Sequence, residues 1–110
     1  INKINLIDFA NNFNKKLFFN GDVNISIVEE IKKNNWLARI HERGSGETMA
    51  CGSAACAISS SAINIKRSSS KNNYVHMHGG KAQVKWTGNA SDPVYLIGSS
   101  QYVFDGNYKI

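Results

Sequence analysis

The residues best placed to do chemistry lie in one stretch, Glu42-Arg43-Gly44-Ser45-Gly46-Glu47-Thr48-Met49-Ala50-Cys51-Gly52-Ser53-Ala54-Ala55-Cys56-Ala57. A cysteine stands where a polar, glycine-rich loop gives way to small residues that favour a helix. A thiol at a helix N-terminus lies beside unpaired backbone N–H groups and the positive end of the helix dipole. That setting favours the thiolate form of a cysteine, and the same N–H groups form a seat for a carboxylate. Cys51 is therefore read as an acid/base or nucleophilic thiol, against the usual fate of a free cysteine as a small buried hydrophobe. Cys56, well inside the helix, takes the second role.

Other groups cluster around Cys51 in sequence. Gly52 and Ser53 offer backbone N–H groups at the helix start, where glycine lets a ligand approach the backbone; Ser53 has the alternative of capping the helix. Glu42 and Arg43 suit the ammonium and carboxylate of a ligand, or else a weak surface ion pair. Glu47 has the further reading of a first-turn acid near the dipole. Asn24 alternates with Val23, Ile25 and Ile27, so it is either a solvent-facing polar residue or a ligand donor. His76 and His78 share a strand face, but no third ligand is spaced near them and no metal is expected. His41 is read as structural. Neither a phosphate-binding loop nor a dinucleotide fingerprint is present.

The elements that must position these groups follow from periodicity. Residues 1–7 read as a strand, and Asp8 as the cap of a short helix over residues 9–17, with Phe9, Phe13 and Leu17 on one face. Asn20-Gly21-Asp22 marks a turn. A half-buried strand runs from Val23, followed by a polar turn over residues 32–35. A strand over residues 36–41 delivers Glu42 and Arg43, and residues 44–48 form a loop. A helix spans residues 51–65, with Ala, Ser, Cys and Gly dominant, so that a curved sheet can approach it closely; Lys66 and Arg67 complement its C-terminal end. Strands over 74–78, 81–86 and 94–97 follow, the first two joined at Gly79-Gly80 as a hairpin. Residues 101–110 also have strand composition. The sum is an α+β domain, several strands around one long helix.

Composition narrows the class. The 110 residues suffice for one domain, and 42% hydrophobic content fits a globular protein. No apolar run is long enough to span a bilayer, so no membrane partner is expected. The start is not a signal peptide; it reads as though the chain begins partway through a larger protein. The net charge of +5 comes from 13 Lys+Arg against 8 Asp+Glu. These fall in separated pairs (Lys15-Lys16, Lys32-Lys33, Lys66-Arg67) without interleaved aromatics, so they solvate the surface and no nucleic acid is expected. Cys51 and Cys56 lie off a common helix face, so a disulfide between them is geometrically poor. Unpaired cysteines suit a reducing cytoplasm.

The stretch 42–57 resembles the second signature of diaminopimelate epimerases, in which a strand ends in Glu-Arg-Gly, a Gly-Glu-Thr loop follows, and Ala-Cys-Gly-Ser/Thr opens a helix of small residues. Val23-Asn24-Ile25 is similar to that family's Asn-Val strand. Gly79-Gly80-Lys81-Ala82-Gln83-Val84-Lys85-Trp86 is similar to its Gly-Gly hairpin, and residues 98–106 to its closing segment. The resemblance implies one half of a fold of two similar α/β halves, each a central helix wrapped by a barrel-like antiparallel or mixed sheet. The substrate, diaminopimelate, lies between the halves. One thiol from each half flanks the stereocentre, and neither cofactor nor metal takes part. It further implies that Cys51 is the catalytic thiol of the second half and that Gly52 and Ser53 hold the α-carboxylate. Glu42 and Arg43 recognise amino and carboxylate groups, with Asn24 at the distal end.

Three departures from the family pattern accompany the resemblance. The other catalytic cysteine segment and a Gly-Asn-Pro-His segment are absent, so the chain is expected to be the C-terminal half alone, as an expressed fragment or half of a split gene. Such a chain is inactive without the N-terminal half as partner, with a homodimer as a further association. Ala54 stands where the family commonly has glycine. The family's last strand packs with the first half, so residues 101–110 are expected to be unpaired, disordered or swapped. Two other readings compete: a related cofactor-independent isomerase of the proline-racemase or phenazine-biosynthesis type, and a non-catalytic binding module.

Overall fold

The computed structural model of the chain describes residues 1–16 and 20–110. Its centre is helix α2 (Gly52–Asn64). Ala54, Ala55, Ile58, Ser59 and Ala62 form its buried stripe, a spacing that keeps them on one helical face. Of these, Ala55, Ile58 and Ala62 meet Trp36, Ala38, Val75 and Val84 in a single core cluster. Small side chains on the helix let its backbone lie close to the sheet.

That sheet is mixed and open, in the order β1-β2-β4-β5-β6, with β3 attached to β2. Strand β1 (Ile25–Lys32) and strand β2 (Asn35–Glu42) form an antiparallel hairpin. Its turn is closed by Asn34 at φ 59°, a left-handed conformation that asparagine tolerates better than most residues. Strand β3 (Gly46–Thr48) doubles back on the C-terminal end of β2, with Ile40 opposite Thr48 and Glu42 opposite Gly46. Helix α2 is the crossover to β4 (Asn72–Met77), which runs parallel to the first half of β2. A hairpin leads to β5 (Gly80–Lys85), and β6 (Tyr95–Ile97) completes the sheet. The α+β class and the sheet wrapped on a central helix are as expected, although the sheet does not close into a barrel.

Polar anchors fix the largest core side chain. Trp36 Nε1 donates to Asn73 Oδ1 at 2.9 Å, both residues being buried. Asn73 Nδ2 in turn donates to the Ser70 carbonyl at 3.0 Å.

Several sequence expectations are corrected. Residues 1–5 form no strand; helix α1 (Leu6–Asn14) begins just after them, capped by Asn5, whose Oδ1 accepts the Asp8 N–H at 3.2 Å. Asp8 is the first-turn acid, not the cap. Leu6 and Ala10, four apart, are the buried pair of α1, whereas Phe9 is 46% exposed and stacks on Phe13. Leu17 falls outside the described residues. The end of the expected 44–48 loop is β3. The hairpin tip is His78-Gly79, since Met77 already pairs with Gly80. Residues 101–110 carry no secondary structure and are exposed throughout.

The α2 C-terminus also differs in kind. Arg67 N–H bonds to the Ala62 carbonyl at 2.9 Å and Lys66 N–H to that of Ile63 at 3.0 Å, the Schellman pattern. The position that usually takes glycine is Lys66, at φ 59°. The side chain of Arg67 reaches away to Glu30 on β1 at 3.5 Å. Relieving the left-handed strain at Lys66 outweighs the extra unfolded-state freedom of glycine, so Lys66→Gly is expected to stabilise the chain by about 0.5–1 kcal/mol. Urea denaturation monitored by tryptophan fluorescence checks this; an unchanged or lowered midpoint would refute it.

Candidate active site

The site is built where β2 ends and the chain turns back through β3 into α2. Glu42 and Arg43 arrive there together, and each is fixed by a different neighbour. The Arg43 backbone N–H donates to Asn24 Oδ1 at 2.7 Å, which joins the segment before β1 to the end of β2. With its oxygen so engaged, the Asn24 amide has its NH2 group left to offer a ligand. The Glu42 carboxylate accepts a 2.6 Å hydrogen bond from the Thr48 hydroxyl. Glu42 and Arg43 therefore form no ion pair with each other, and the Arg43 side chain is exposed.

Beneath this corner lies a charged staple. Arg39 grips Glu47 through both carboxylate oxygens, Nε to Oε1 at 2.6 Å and Nη2 to Oε2 at 2.8 Å. Its Nη1 donates to the carbonyls of Ile1 and Ile4 at 3.1 and 2.7 Å. Side chains alternate along a strand, so Arg39 lies on the face of β2 opposite Trp36 and Ala38. The staple thus ties β2, β3 and the N-terminal segment together behind the sheet. The Arg39 hydrogen bonds hold the Glu47 carboxyl below the usual carboxylate range; partial burial opposes this, while the charge of Arg39 adds to it. Glu47 is thus a β3 residue and not the first-turn acid of α2. An open cleft on this side is lined by Asn2, Arg39, Glu47, Thr48, Met49 and His78.

Three residues beyond Thr48 the chain reaches Cys51, the N-cap residue of α2, in extended conformation at φ −145° and ψ 115°. Its carbonyl accepts the Ala55 N–H at 3.0 Å, the first bond of the helix, and no side chain caps the turn. The N–H groups of Gly52 and Ser53 stand in that uncapped turn, where a bound anion is favoured. The Cys51 Sγ lies 3.3 Å from Ser53 Oγ, so Ser53 contacts the sulfur and is not the cap. Cys51 and Gly52 are half-buried and Ser53 is exposed. Both cysteines are free. Burial pushes the Cys56 thiol up, which keeps it protonated.

The six expected site residues thus fall into two sets, Asn24, Glu42 and Arg43 at the strand end and Cys51, Gly52 and Ser53 at the helix start, connected along the chain through β3. Among the described residues no hydrogen bond links the two sets directly. Three further contributors were not singled out from sequence. Thr48 aims Glu42. Leu96 of β6 covers Gly52, where an added Cβ would come within 2.8 Å of its Cδ2. Gly79 meets the Met49 carbonyl with its N–H at 2.6 Å. A signal for Thr48 existed in the Gly-Glu-Thr run, but the other two depend on tertiary register. The two strand histidines part company: His76 Nε2 bonds Asn35 Oδ1 at 2.9 Å, and His78 Nε2 lies 3.9 Å from Glu47. Among the described residues no cluster of three or more metal-ligating side chains gathers, and no helix is long and apolar enough to cross a membrane.

Comparison with known proteins bears on what this corner does. A family model described as diaminopimelate epimerase matches residues 1–103. The diaminopimelate epimerase of Blochmanniella floridana is 46% identical over 86 residues, which cover 76% of this chain and 30% of that protein. That of Buchnera aphidicola subsp. Acyrthosiphon pisum (strain 5A) is 37% identical over 103 residues, covering 94% of this chain and 35% of the relative. That of Prochlorococcus marinus (strain NATL1A) is 40% identical over 93 residues, covering 84% and 32%. The chain spans about a third of the length of the curated relatives it matches.

The staple has a pH signature. A carboxyl whose folded-state pKa is depressed contributes its full stability above the unfolded-state pKa of about 4.3 and loses it as pH falls through the lower folded value. Wild-type chain is therefore expected to lose more stability than Glu47→Gln on acidification below that pH. Urea midpoints at a series of pH values measure the difference, and parallel curves for the two proteins would show that the pair contributes nothing.

Proposed function

Because this chain belongs to the diaminopimelate epimerase family, we propose that it supplies the C-terminal half of a cofactor-independent epimerase. This enzyme interconverts LL- and meso-2,6-diaminopimelate on the route to lysine and peptidoglycan precursors. The observation that carries the reading is Cys51 at the N-cap of α2, with no side chain capping the turn that follows it.

The chemistry asks for three things. An amino acid Cα–H is a very weak acid, so the charge that develops on its removal needs stabilisation. The N–H groups of Gly52 and Ser53, aimed at the substrate α-carboxylate, supply part of it from a fixed dipole that needs no reorganisation. The thiolate of Cys51 takes the Cα proton, and the C–H electron pair is held by the carboxylate as it gains enolate character. A second thiol, from the N-terminal half, delivers a proton to the opposite face. The net result is inversion with no change of oxidation state. The thiols then stand with roles exchanged, so they titrate as one coupled pair.

Recognition falls to the strand end. Glu42, with one oxygen held by Thr48, presents the other to an ammonium group. Arg43 and the free NH2 of Asn24 are both donors, which suits the distal carboxylate. The N-terminal half covers the exposed side of this corner, shuts out water and receives residues 101–110. The chain alone is therefore inactive, and a homodimer of the complete enzyme is a further level of assembly.

The chain joined to its complementary N-terminal half is expected to incorporate deuterium at Cα of diaminopimelate in deuterated water, and the chain alone to incorporate none. Cys51→Ala in the joined enzyme lowers that exchange by about 10²–10⁴-fold, the usual worth of a positioned acid or base. Exchange at the wild-type rate in this variant would remove Cys51 from the mechanism.

A further inference from the structure

The segment that carries the chain from β3 to Cys51 is held from outside by the tip of the β4–β5 hairpin. The Gly79 N–H donates to the Met49 carbonyl at 2.6 Å, and the adjoining His78 brings Nε2 to 3.9 Å from Glu47. The tip therefore touches the segment on both sides of Thr48. Gly79 has no left-handed φ to explain its identity. What it lacks is room: a Cβ there would lie 3.1 Å from the Met49 oxygen, 3.3 Å from the Met49 carbonyl carbon and 3.3 Å from the Ala50 Cβ. Two of those three atoms are backbone and cannot rotate aside. Gly80, next along, is the opposite case, with φ 143° and nothing within 4 Å of an added Cβ.

We propose that Gly79 is a positioning residue for Cys51: the side-chain-free hairpin tip clasps the Met49 carbonyl and so sets where the thiol stands at the mouth of α2. This rests on the reading of Cys51 as the reactive thiol. Met49 is two residues from Cys51 and is 65% exposed, so its own packing does little to fix the segment. The backbone clasp, together with the Thr48 hydroxyl on Glu42, supplies that constraint. A methyl group at position 79 obliges the Met49–Ala50 peptide to give by a few tenths of an ångström, and that shift is passed along the chain to Cys51.

The test uses the intact chain and needs no turnover, so its failure is distinct from failure of the epimerase reading. Each cysteine is alkylated with iodoacetamide and followed by peptide mass spectrometry, with Cys56 in the same helix as an internal reference. Gly79→Ala is expected to raise the Cys51-to-Cys56 rate ratio by about threefold or more, because small displacements of a reacting group carry large rate effects. Gly80→Ala strains the hairpin without touching Met49, and leaves the ratio unchanged. If both variants move the ratio alike, or if Gly79→Ala does not move it, the clasp is not what positions the thiol. The wild-type chain gives a second measurement that survives misfolding of either variant. The Gly79 amide should be protected from hydrogen exchange and its Hα should show a nuclear Overhauser contact to the Ala50 methyl group. A freely exchanging Gly79 amide overturns the proposal.

Discussion

Close approach between α2 and the sheet is the constraint on which the rest of the structure depends. Where α2 faces β2, β4 and β5 the helix contributes Ala55, Ile58 and Ala62, and the strands Ala38, Val75 and Val84. Side chains of this size cannot hold two layers at an ordinary separation without leaving voids, and voids forfeit contact energy. The layers therefore close up, and Trp36 fills the space that remains, its indole N–H anchored to Asn73. A helix seated this deeply has its N-terminus in a fixed place. That end emerges under Leu96, just beyond the Met49–Ala50 segment that meets the hairpin tip. The small-residue run that reads as a packing feature in the sequence is thus also what puts Cys51 where it is.

Along β2 and β3 several polar groups are held by backbone or by a second side chain. Asn24 uses its oxygen on the Arg43 backbone, Thr48 its hydroxyl on Glu42, and Arg39 its guanidinium on Glu47 and the two N-terminal carbonyls. The roles divide by face. Arg39 and Glu47 have their charges satisfied, so they hold the corner together without being available to a ligand. Arg43, the Asn24 NH2 group and the uncapped turn of α2 keep donors in hand. Pre-organisation of this kind matters because donors that must reorganise during a reaction contribute less to it.

The sequence was legible where periodicity and chemistry agreed. Helix α2, the β1–β2 hairpin and the strand that delivers Glu42 all stand close to where their patterns put them. It misled where apolar residues carry no unique period. Ile1, Ile4, Leu6 and Ile7 read as a strand, yet Asn5 offers a cap and Leu6 and Ala10 share a helical face, so helix wins from Leu6 onward. The four-residue spacing of Phe9 and Phe13 marks one helical face, but the small Ala10 occupies the buried position. Glu47 was misplaced because a three-residue strand has too little pattern to be seen, and its partner Arg39 lies eight residues away on another strand. The contacts of Leu96 with Gly52 and of Gly79 with Met49 are illegible for a related reason: each depends on register across the sheet, which is not written in local spacing.

The open side of the molecule bears on how such a site would work. In bulk water a charge near a helix N-terminus gains little, because the high dielectric screens the dipole; the same arrangement gains far more once water is shut out. Cys51 is half-buried and Ser53 exposed, so in this chain alone the first-turn N–H groups face solvent on one side. Strand β6 exposes Tyr95, Leu96 and Ile97, and the tail that follows shows Tyr102, Val103, Phe104 and Tyr108 to solvent. So many exposed large apolar side chains along one strip of chain mark surface that is stable when covered. On the proposed reading one event serves both needs: docking of the complementary half buries the apolar strip and, by expelling water from the corner, turns a weak surface dipole into one strong enough to help ionise a carbon acid.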